Sequence, residues 1–574
     1  MPSEHASAEL LGALSRLLSA LTALDRTFER TGRGAVPASV VSTRAEVVDQ
    51  LSDYVIPRLV QLEAPLLTVV GGSTGAGKST LVNSLVGEPV TESGVLRPTT
   101  RSPVLVHHPD EAHWFQPDRI LPQLPRTEAT TNDVYALRLV SSTLVPRGLA
   151  ILDAPDIDSI DADNRQLAAQ LLAAADLWLF VTSAARYADQ VPWDYLARAA
   201  ERASSVAVVL DRTHEEQVVE VRGHLARMMT SRGLSDSPLF TVAETSTEES
   251  GLLPRSAVAP IRTWLHELAA DPMGRAAVVH ATLDGAVRHN VMSAFDVADG
   301  MDGLVAASSD LHSALGAAFD RASVQLRRQA VDGTLLRGRV LSRWQEFVGS
   351  GELLRSVEER VTRLRDRIVE NVTGRRAKSE EVLESLTTAL QDLVREHVER
   401  AVRDTVQSWA ELPAGAASLV SQDGLDRVSR DVLVTSERLA RDWKDRVVEL
   451  VRSEGADKRM SATFLAVGVN GVAVAVMVLA VANEADSRDR SLALAERLLA
   501  SIFDAAPAAA LVERAAGALL DVVGAPLDAE RRRLAGVAES PATLEALRDE
   551  VRGAARQAEY ARHLDFFADG GKHA

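Results

Sequence analysis

The stretch LLTVVGGSTGAGKSTLVNSL, Leu66 to Leu85, constrains this chain more than any other. An apolar β-type run ends in Gly72-Ser73-Thr74-Gly75-Ala76-Gly77-Lys78-Ser79, and a helical pattern follows. That is the spacing G-x-x-x-x-G-K-[ST] in the strand–loop–helix context that gives it meaning, a phosphate loop. The glycines let backbone N–H groups curl around phosphate oxygens without Cβ clashes. The helix opening near Lys78, with Thr80 in its first turn, points its positive end at the same oxygens. Lys78 reaches the β- and γ-phosphates, and the Ser79 hydroxyl is placed to ligate Mg²⁺.

Two further stretches complete a nucleotide site. GLAILDAPDIDS puts Asp153 at the end of an apolar strand, where an acid holds Mg²⁺ directly or through water. GVLRPTTRSPV reads as a loop, and a threonine there completes the Mg²⁺ shell and senses the γ-phosphate; Thr100 is the first candidate and Thr99 the second. Short apolar runs recur through this part of the chain, at 66–70, 103–108, 134–140, 148–153, 177–182, 206–211 and 238–243, with helical patterns between several of them. The alternation predicts an α/β domain over 64–250 with a largely parallel sheet.

The remainder reads as helix. Residues 6–30 and 40–63 carry helical apolar spacing on either side of TGRGAVP. From Met273 to Ala506 the only proline is Pro413, although the chain has 22. Helix interiors exclude proline, so a long helical region is expected. Within it Val382, Leu386, Leu390, Leu393, His397, Ala401, Thr405 and Trp409 fall three or four apart on one apolar or small face, a bundle core or a coiled-coil partner surface.

Met460–Asn483 then runs for 24 residues without a charge. A helix of that length covers about 36 Å, enough for a hydrocarbon core of about 30 Å, which makes it a candidate membrane segment. It spans once, dips into one leaflet as a hairpin with the amphipathic stretch from Ser491 to Leu520, or is a buried core helix, a class that seldom avoids charge for so long. Lys458 and Arg459 on its N-terminal side favour a cytoplasmic location for the phosphate loop. The expected organisation is N-terminal helices at 1–63 packing with a stalk, the phosphate-loop domain at 64–250, the stalk at 251–459, the membrane segment at 460–483, and C-terminal helices at 484–574 returning to the stalk.

Composition removes several classes of function. At 574 residues the chain exceeds a single core of roughly 250–300 residues. A formal net charge of −17 with no basic stretch to offset it argues against broad nucleic-acid binding. There is no cysteine, so disulfides, cysteine–zinc sites and cysteine nucleophiles are excluded. The first residues, MPSEHASAELLGALSRLL, lack the basic and apolar regions of a secretory signal.

Taken together, GGSTGAGKST, RPTTR and DAPDIDS resemble the GTPase domain of the dynamin-like family, in its bacterial membrane-associated branch. The long helical region resembles that family's stalk. The resemblance implies a GTPase that binds GTP and Mg²⁺ and self-associates or pairs with a paralogous dynamin-like partner. It implies remodelling or bridging of a lipid membrane from the cytoplasmic face of the cell membrane. It assigns Lys78, Thr100 and Thr74 to the reacting phosphate and Ser79, Thr100 and Asp153 to the metal. Residues 72–80, Pro155, Asp156, Asp211 and Arg212 then contact nucleotide.

Three positions depart from the family pattern. Asp156 stands where D-x-P-G has glycine. Thr74 stands where eukaryotic dynamins carry the glutamine that positions the attacking water. Asp211-Arg212-Thr213-His214 replaces the guanine-reading N/T-K-x-D, leaving His214 at the base-binding aspartate, with Glu215 or Glu216 as possible substitutes. A membrane-attached regulatory switch that deforms nothing fits the same motifs. An ABC-type ATPase fits less well: Ala154 follows the strand-end acid where that class has Glu, and no L-S-G-G-Q-like signature separates the two motifs.

Overall fold

The apolar runs of the first half pair into one eight-stranded sheet: β1 (Leu66–Gly72), β2 (Val104–His107), β3 (Arg126–Thr127), β4 (Leu137–Ser141), β5 (Leu149–Asp153), β6 (Leu177–Ser183), β7 (Ser205–Thr213) and β8 (Leu239–Ala243). The computed structural model describes residues 4–31, 36–92, 102–117, 119–129, 133, 135–158, 162–201, 205–349, 368–455, 462–485 and 490–567. The strand order is β3-β4-β2-β5-β1-β6-β7-β8. All pairings are parallel except β2 with β5. Every residue of β1 and β6 is buried, as strands in a sheet covered on both faces must be. This is the expected α/β domain; only the two-residue β3 has no counterpart among the apolar runs.

Before the sheet come α1 (Glu4–Thr31), α2 (Ala38–Gln50) and α3 (Ile56–Val60). Within and after it lie α4 (Lys78–Val86), α5 (Ala162–Ala173), α6 (Gln190–Glu201), α7 (Val218–Ser231) and α8 (Arg255–Ala270). A buried cluster ties α3 to the sheet. The Asp176 carboxylate accepts from Tyr54 Oη at 3.1 Å, Arg58 Nε at 3.0 Å and the Leu67 amide at 2.8 Å. Arg58 and Asp176 are 2% and 1% exposed, and a charge pair persists at that depth only when its remaining polar atoms are also satisfied.

The chain then enters α9 (Pro272–Val331), 60 residues long. It continues through α10 (Arg339–Val348), α11 (Ile368–Ala410), α12 (Pro413–Ser421), α13 (Arg430–Glu454), α14 (Ala462–Ala480), α15 (Arg490–Ala500), α16 (Ala505–Val522), α17 (Ala525–Ala535) and α18 (Pro541–Phe567). The chain forms two compact units: residues 1–28, 36–303 and 545–574 make the first, and 29–35 with 304–544 the second. The boundary falls inside α9 rather than at the end of the sheet.

In the first unit α1 and α18 meet. Ser7 donates to Asp565 at 2.9 Å and Arg16 to Gln557 at 2.9 Å. From α18, Arg548 reaches Asp302 at 2.8 Å, Arg552 reaches Asp299 at 2.7 Å, and Arg562 pairs with Asp284, all on α9. The last helix therefore packs in the unit that holds the sheet. Leu10, Leu14, Leu17, Leu21 and Leu24 form a fully buried stripe along α1. By length and composition alone Ser7–Glu29 could cross a membrane, the one such helix among the described residues. Its stripe is the three-and-four spacing of a helix packed on neighbours.

The second unit is helical, as the scarcity of proline predicts. Val382, Leu386, Leu390, Leu393, His397, Ala401, Thr405 and Trp409 are all buried, so the face read from their spacing is a bundle core. The uncharged run needs correction. Its residues before Ala462 lie outside the described ones. Gly468, at φ 70° and ψ 169°, breaks the rest. That backbone region is open essentially to glycine alone. The apolar stretch Val467–Ala480 spans about 21 Å, short of the hydrocarbon core. It packs against α11, α13, α15 and α16. Val472 through Val478 are 0% exposed. The run is the central helix of a protein core and does not form the expected membrane segment in this structure. A helix apolar on every side suits either surrounding, because both exclude water.

Candidate active site

The site lies at the carboxyl ends of β5, β1, β6, β7 and β8, where ligands of open parallel sheets bind. The loop between β1 and α4 is shaped by close approaches. Gly72 has φ +149°, and a Cβ there would fall 2.0 Å from the Val181 carbonyl oxygen of β6. Gly77 has φ +97°, and its Cβ would fall 2.3 Å from Asp211 Oδ2. No other residue fits either position. Leu81 N donates to the Gly77 carbonyl at 2.8 Å, which closes the first turn of α4 with Lys78, Ser79 and Thr80 inside it.

Lys78 is 6% exposed and bends back over the loop. Its ammonium donates to the Gly72 and Ser73 carbonyls at 3.1 and 3.2 Å and pairs with Asp156. Ser79 donates to Asp153 Oδ2 at 2.7 Å, and so does Thr91 at 2.8 Å. Burial raises the Asp153 carboxyl, against the lowering effect of those hydroxyls and of Lys78. Asp153 Oδ1 and Ser73 Oγ are buried with no hydrogen-bond partner. A buried acceptor and a buried hydroxyl left open at the mouth of a phosphate loop fit a cation and a phosphate.

The segment after β5 runs beside the loop. Ala154 N donates to Val70 O at 3.1 Å and Ile157 N to Gly72 O at 3.4 Å, with Pro155 buried between them. Asp158 Oδ1 takes both the backbone N–H and the hydroxyl of Thr74 at 2.6 Å. Arg186, from the turn after β6, holds the other oxygen of Asp158 at 2.9 Å. Thr74 is thus tied to a carboxylate in this conformation.

On the opposite side, Asp211 is 4% exposed. Its Oδ1 accepts from the Arg212 amide at 2.8 Å, and its Oδ2 lies against Gly77. Burial lifts its carboxyl to about 6. Arg212 sits at φ 51°, an uncommon value for a side-chain-bearing residue, with its Nε over Gly77. His214 meets Glu244, from the end of β8, at 2.8 Å.

The structure therefore brings together residues 72–80, Asp153, Pro155, Asp156, Asp211 and Arg212. Thr99 and Thr100 lie outside the described residues. Thr91, Asp158, Arg186 and Glu244 join the site without having been assigned from the sequence. Asp158 stands within DAPDIDS. Arg186 and Glu244 are distant in sequence and come close only through the sheet order, whereas Thr91 is held near Asp153 by Asn83, whose Oδ1 accepts from the Thr91 amide at 2.9 Å.

Residues 68–212 match the Dynamin family model. No curated protein matches the chain. Among solved structures it is similar to a chain of an oligomerised bacterial dynamin pair, described as a mechanism for long-range sensing and tethering of membranes. The identity there is 11% over 93% of this chain and 92% of that one, with a TM-score of 0.39. It is also similar to LeoA, a bacterial dynamin GTPase from ETEC, at 12% identity over 99% and 98% of the chains and a TM-score of 0.23.

Proposed function

We propose, from the premise that this chain is a dynamin-like GTPase with its GTPase domain matched over residues 68–212, that it couples GTP hydrolysis to self-association on a membrane surface. The observation that supports it best is the pairing of a complete phosphate loop with Asp153 on the neighbouring strand, bonded to Ser79 at 2.7 Å. The same pair would hold Mg²⁺, whose chemistry is to neutralise charge on the transferring phosphate. Lys78 would leave Asp156 for the β- and γ-phosphates, and the loop amides would orient them. Thr100, and Thr74 once released from Asp158, remain our proposed groups for sensing the γ-phosphate and positioning water.

We place the protein at the cytoplasmic face of the cell membrane, with a second copy or a paralogous dynamin-like chain as partner. The family match supports this reading, and the buried stretch from Val472 to Val478 takes no part in it. A regulatory switch that recruits partners without deforming lipid is the second reading, favoured by Thr74 standing where eukaryotic dynamins place glutamine.

The test is GTP turnover with and without vesicles of phosphatidylglycerol and phosphatidylethanolamine, for the full chain and for Lys78→Ala. The wild type should hydrolyse GTP, faster with vesicles, and Lys78→Ala should neither bind nor hydrolyse it. Normal turnover by Lys78→Ala would refute the site. Turnover and sedimentation indifferent to vesicles would refute the membrane role. Vesicles bound but unchanged in shape would favour the switch.

A further inference from the structure

The motif after β7 ends in His214, where a base-reading carboxylate is expected. Guanine presents two donors on one edge, N1–H and the N2 amine, and a carboxylate, an acceptor only, suits both. His214 occupies the position expected of that carboxylate and cannot accept twice. Asp211 cannot turn out to help: one oxygen holds the Arg212 amide at 2.8 Å and the other lies against Gly77.

The adjacent strand supplies a carboxylate instead. β7 and β8 are parallel neighbours, with Thr213 opposite Ala243. The next residue, Glu244, donates its amide to the Thr213 carbonyl at 3.0 Å, which fixes its backbone level with the end of the motif. Its Oε2 lies 2.8 Å from His214 Nδ1. The two side chains are 49% and 73% exposed, so a ligand can reach them. Each carboxylate oxygen has about two acceptor sites, so a bond to His214 leaves room for the base. Arg212, with its Nε over Gly77, offers a planar guanidinium against which a purine can stack.

We infer that Glu244 is the guanine-reading residue of this site, held in place by His214 as a positioning residue, so that base recognition has moved from the end of β7 to the end of β8. This rests on the GTPase reading above and specifies which group selects the base. Glu215 and Glu216, closer in sequence, open the 3-10 turn Glu215–Gln217 with exposed side chains. Among the described residues, neither has a contact that fixes it beside Arg212.

The experiment measures binding of GTP, ATP and xanthosine triphosphate to the full chain as wild type, Glu244→Gln, His214→Ala and the double variant Glu215→Gln/Glu216→Gln. Xanthine has a carbonyl where guanine has its amine, so an amide complements it. Glu244→Gln should lower GTP affinity roughly tenfold or more, leave ATP unchanged and raise xanthosine triphosphate affinity. A gain for the xanthine nucleotide cannot come from a damaged fold. His214→Ala should lose part of the GTP preference and gain nothing for xanthine. An unchanged GTP/ATP ratio in Glu244→Gln, or its loss in the double variant, would overturn the assignment. A wild type that binds ATP as well as GTP would overturn the GTP reading itself, and these two failures are distinct.

Discussion

Asp156 and Asp158 hold the phosphate loop through opposite ends, one on Lys78 and the other on Thr74. A γ-phosphate must displace Asp156 from Lys78, whereas a diphosphate makes less use of that lysine. Asp156 is 31% exposed, so the contact is partly screened and worth about 1 kcal/mol, roughly fivefold in affinity. Asp156→Asn should therefore raise the GTP/GDP affinity ratio by roughly that factor, measured by calorimetry on the full chain; a fall would show that the carboxylate helps to bind nucleotide. Asp211 carries a second prediction. Its folded value of about 6, raised by burial from 3.8, means the folded chain holds the proton more tightly than the unfolded one. The resulting stabilisation is complete below the unfolded value and is lost as pH rises through the folded one. Asp211→Asn keeps the acceptor for the Arg212 amide and removes the ionisation. The stability difference between variant and wild type should shift in the variant's favour by about 2–3 kcal/mol between pH 4 and pH 7. Denaturant unfolding at the two pH values checks it. The phosphate loop and Asp153 were legible because their chemistry demands fixed neighbours in sequence. Glu244 was not, since its partner His214 lies 30 positions earlier and only the pairing of β7 with β8 makes them neighbours.

Among the elements, α14 separates composition from environment. The proline-poor stretch and the apolar face from Val382 to Trp409 could be read as helix and core because amphipathic spacing states which side meets water. The run around Val474 states only that no side does. In this structure its surrounding is protein, the helices α11, α13, α15 and α16. A charge placed there has no partner: Val476, at 0% exposure, replaced by Asp should cost more than about 4 kcal/mol and unfold the second unit. Deleting 460–483 should give aggregated protein instead of a chain released from membranes, seen by size-exclusion chromatography and circular dichroism. A well-folded deletion variant would restore the membrane reading of that segment. At the sheet, Arg58→Ala should cost about 3–5 kcal/mol by stranding the buried Asp176 charge, measured by denaturant unfolding.

Across the whole molecule the first unit is discontinuous in sequence. Its first helix is joined to its last by Ser7–Asp565 and Arg16–Gln557, while residues 304–544 belong to the second unit. Removing residues 541–574 should uncover apolar surface along α1 and α9, and the shortened chain should aggregate or adsorb to vesicles regardless of nucleotide, as light scattering would report. A monodisperse truncated protein would mean that α18 is dispensable to that core. The arrangement also sets an order in time. Synthesis at about 5–20 residues per second takes roughly 12–50 s to pass from residue 303 to residue 545. The second unit has all but residues 29–35 of its chain from that interval alone, whereas the first waits through it with α1 still lacking α18. The helix Pro541–Phe567 acts as a clasp that only a copy translated past it possesses, and a copy interrupted earlier would advertise its open seam to the cell's quality control.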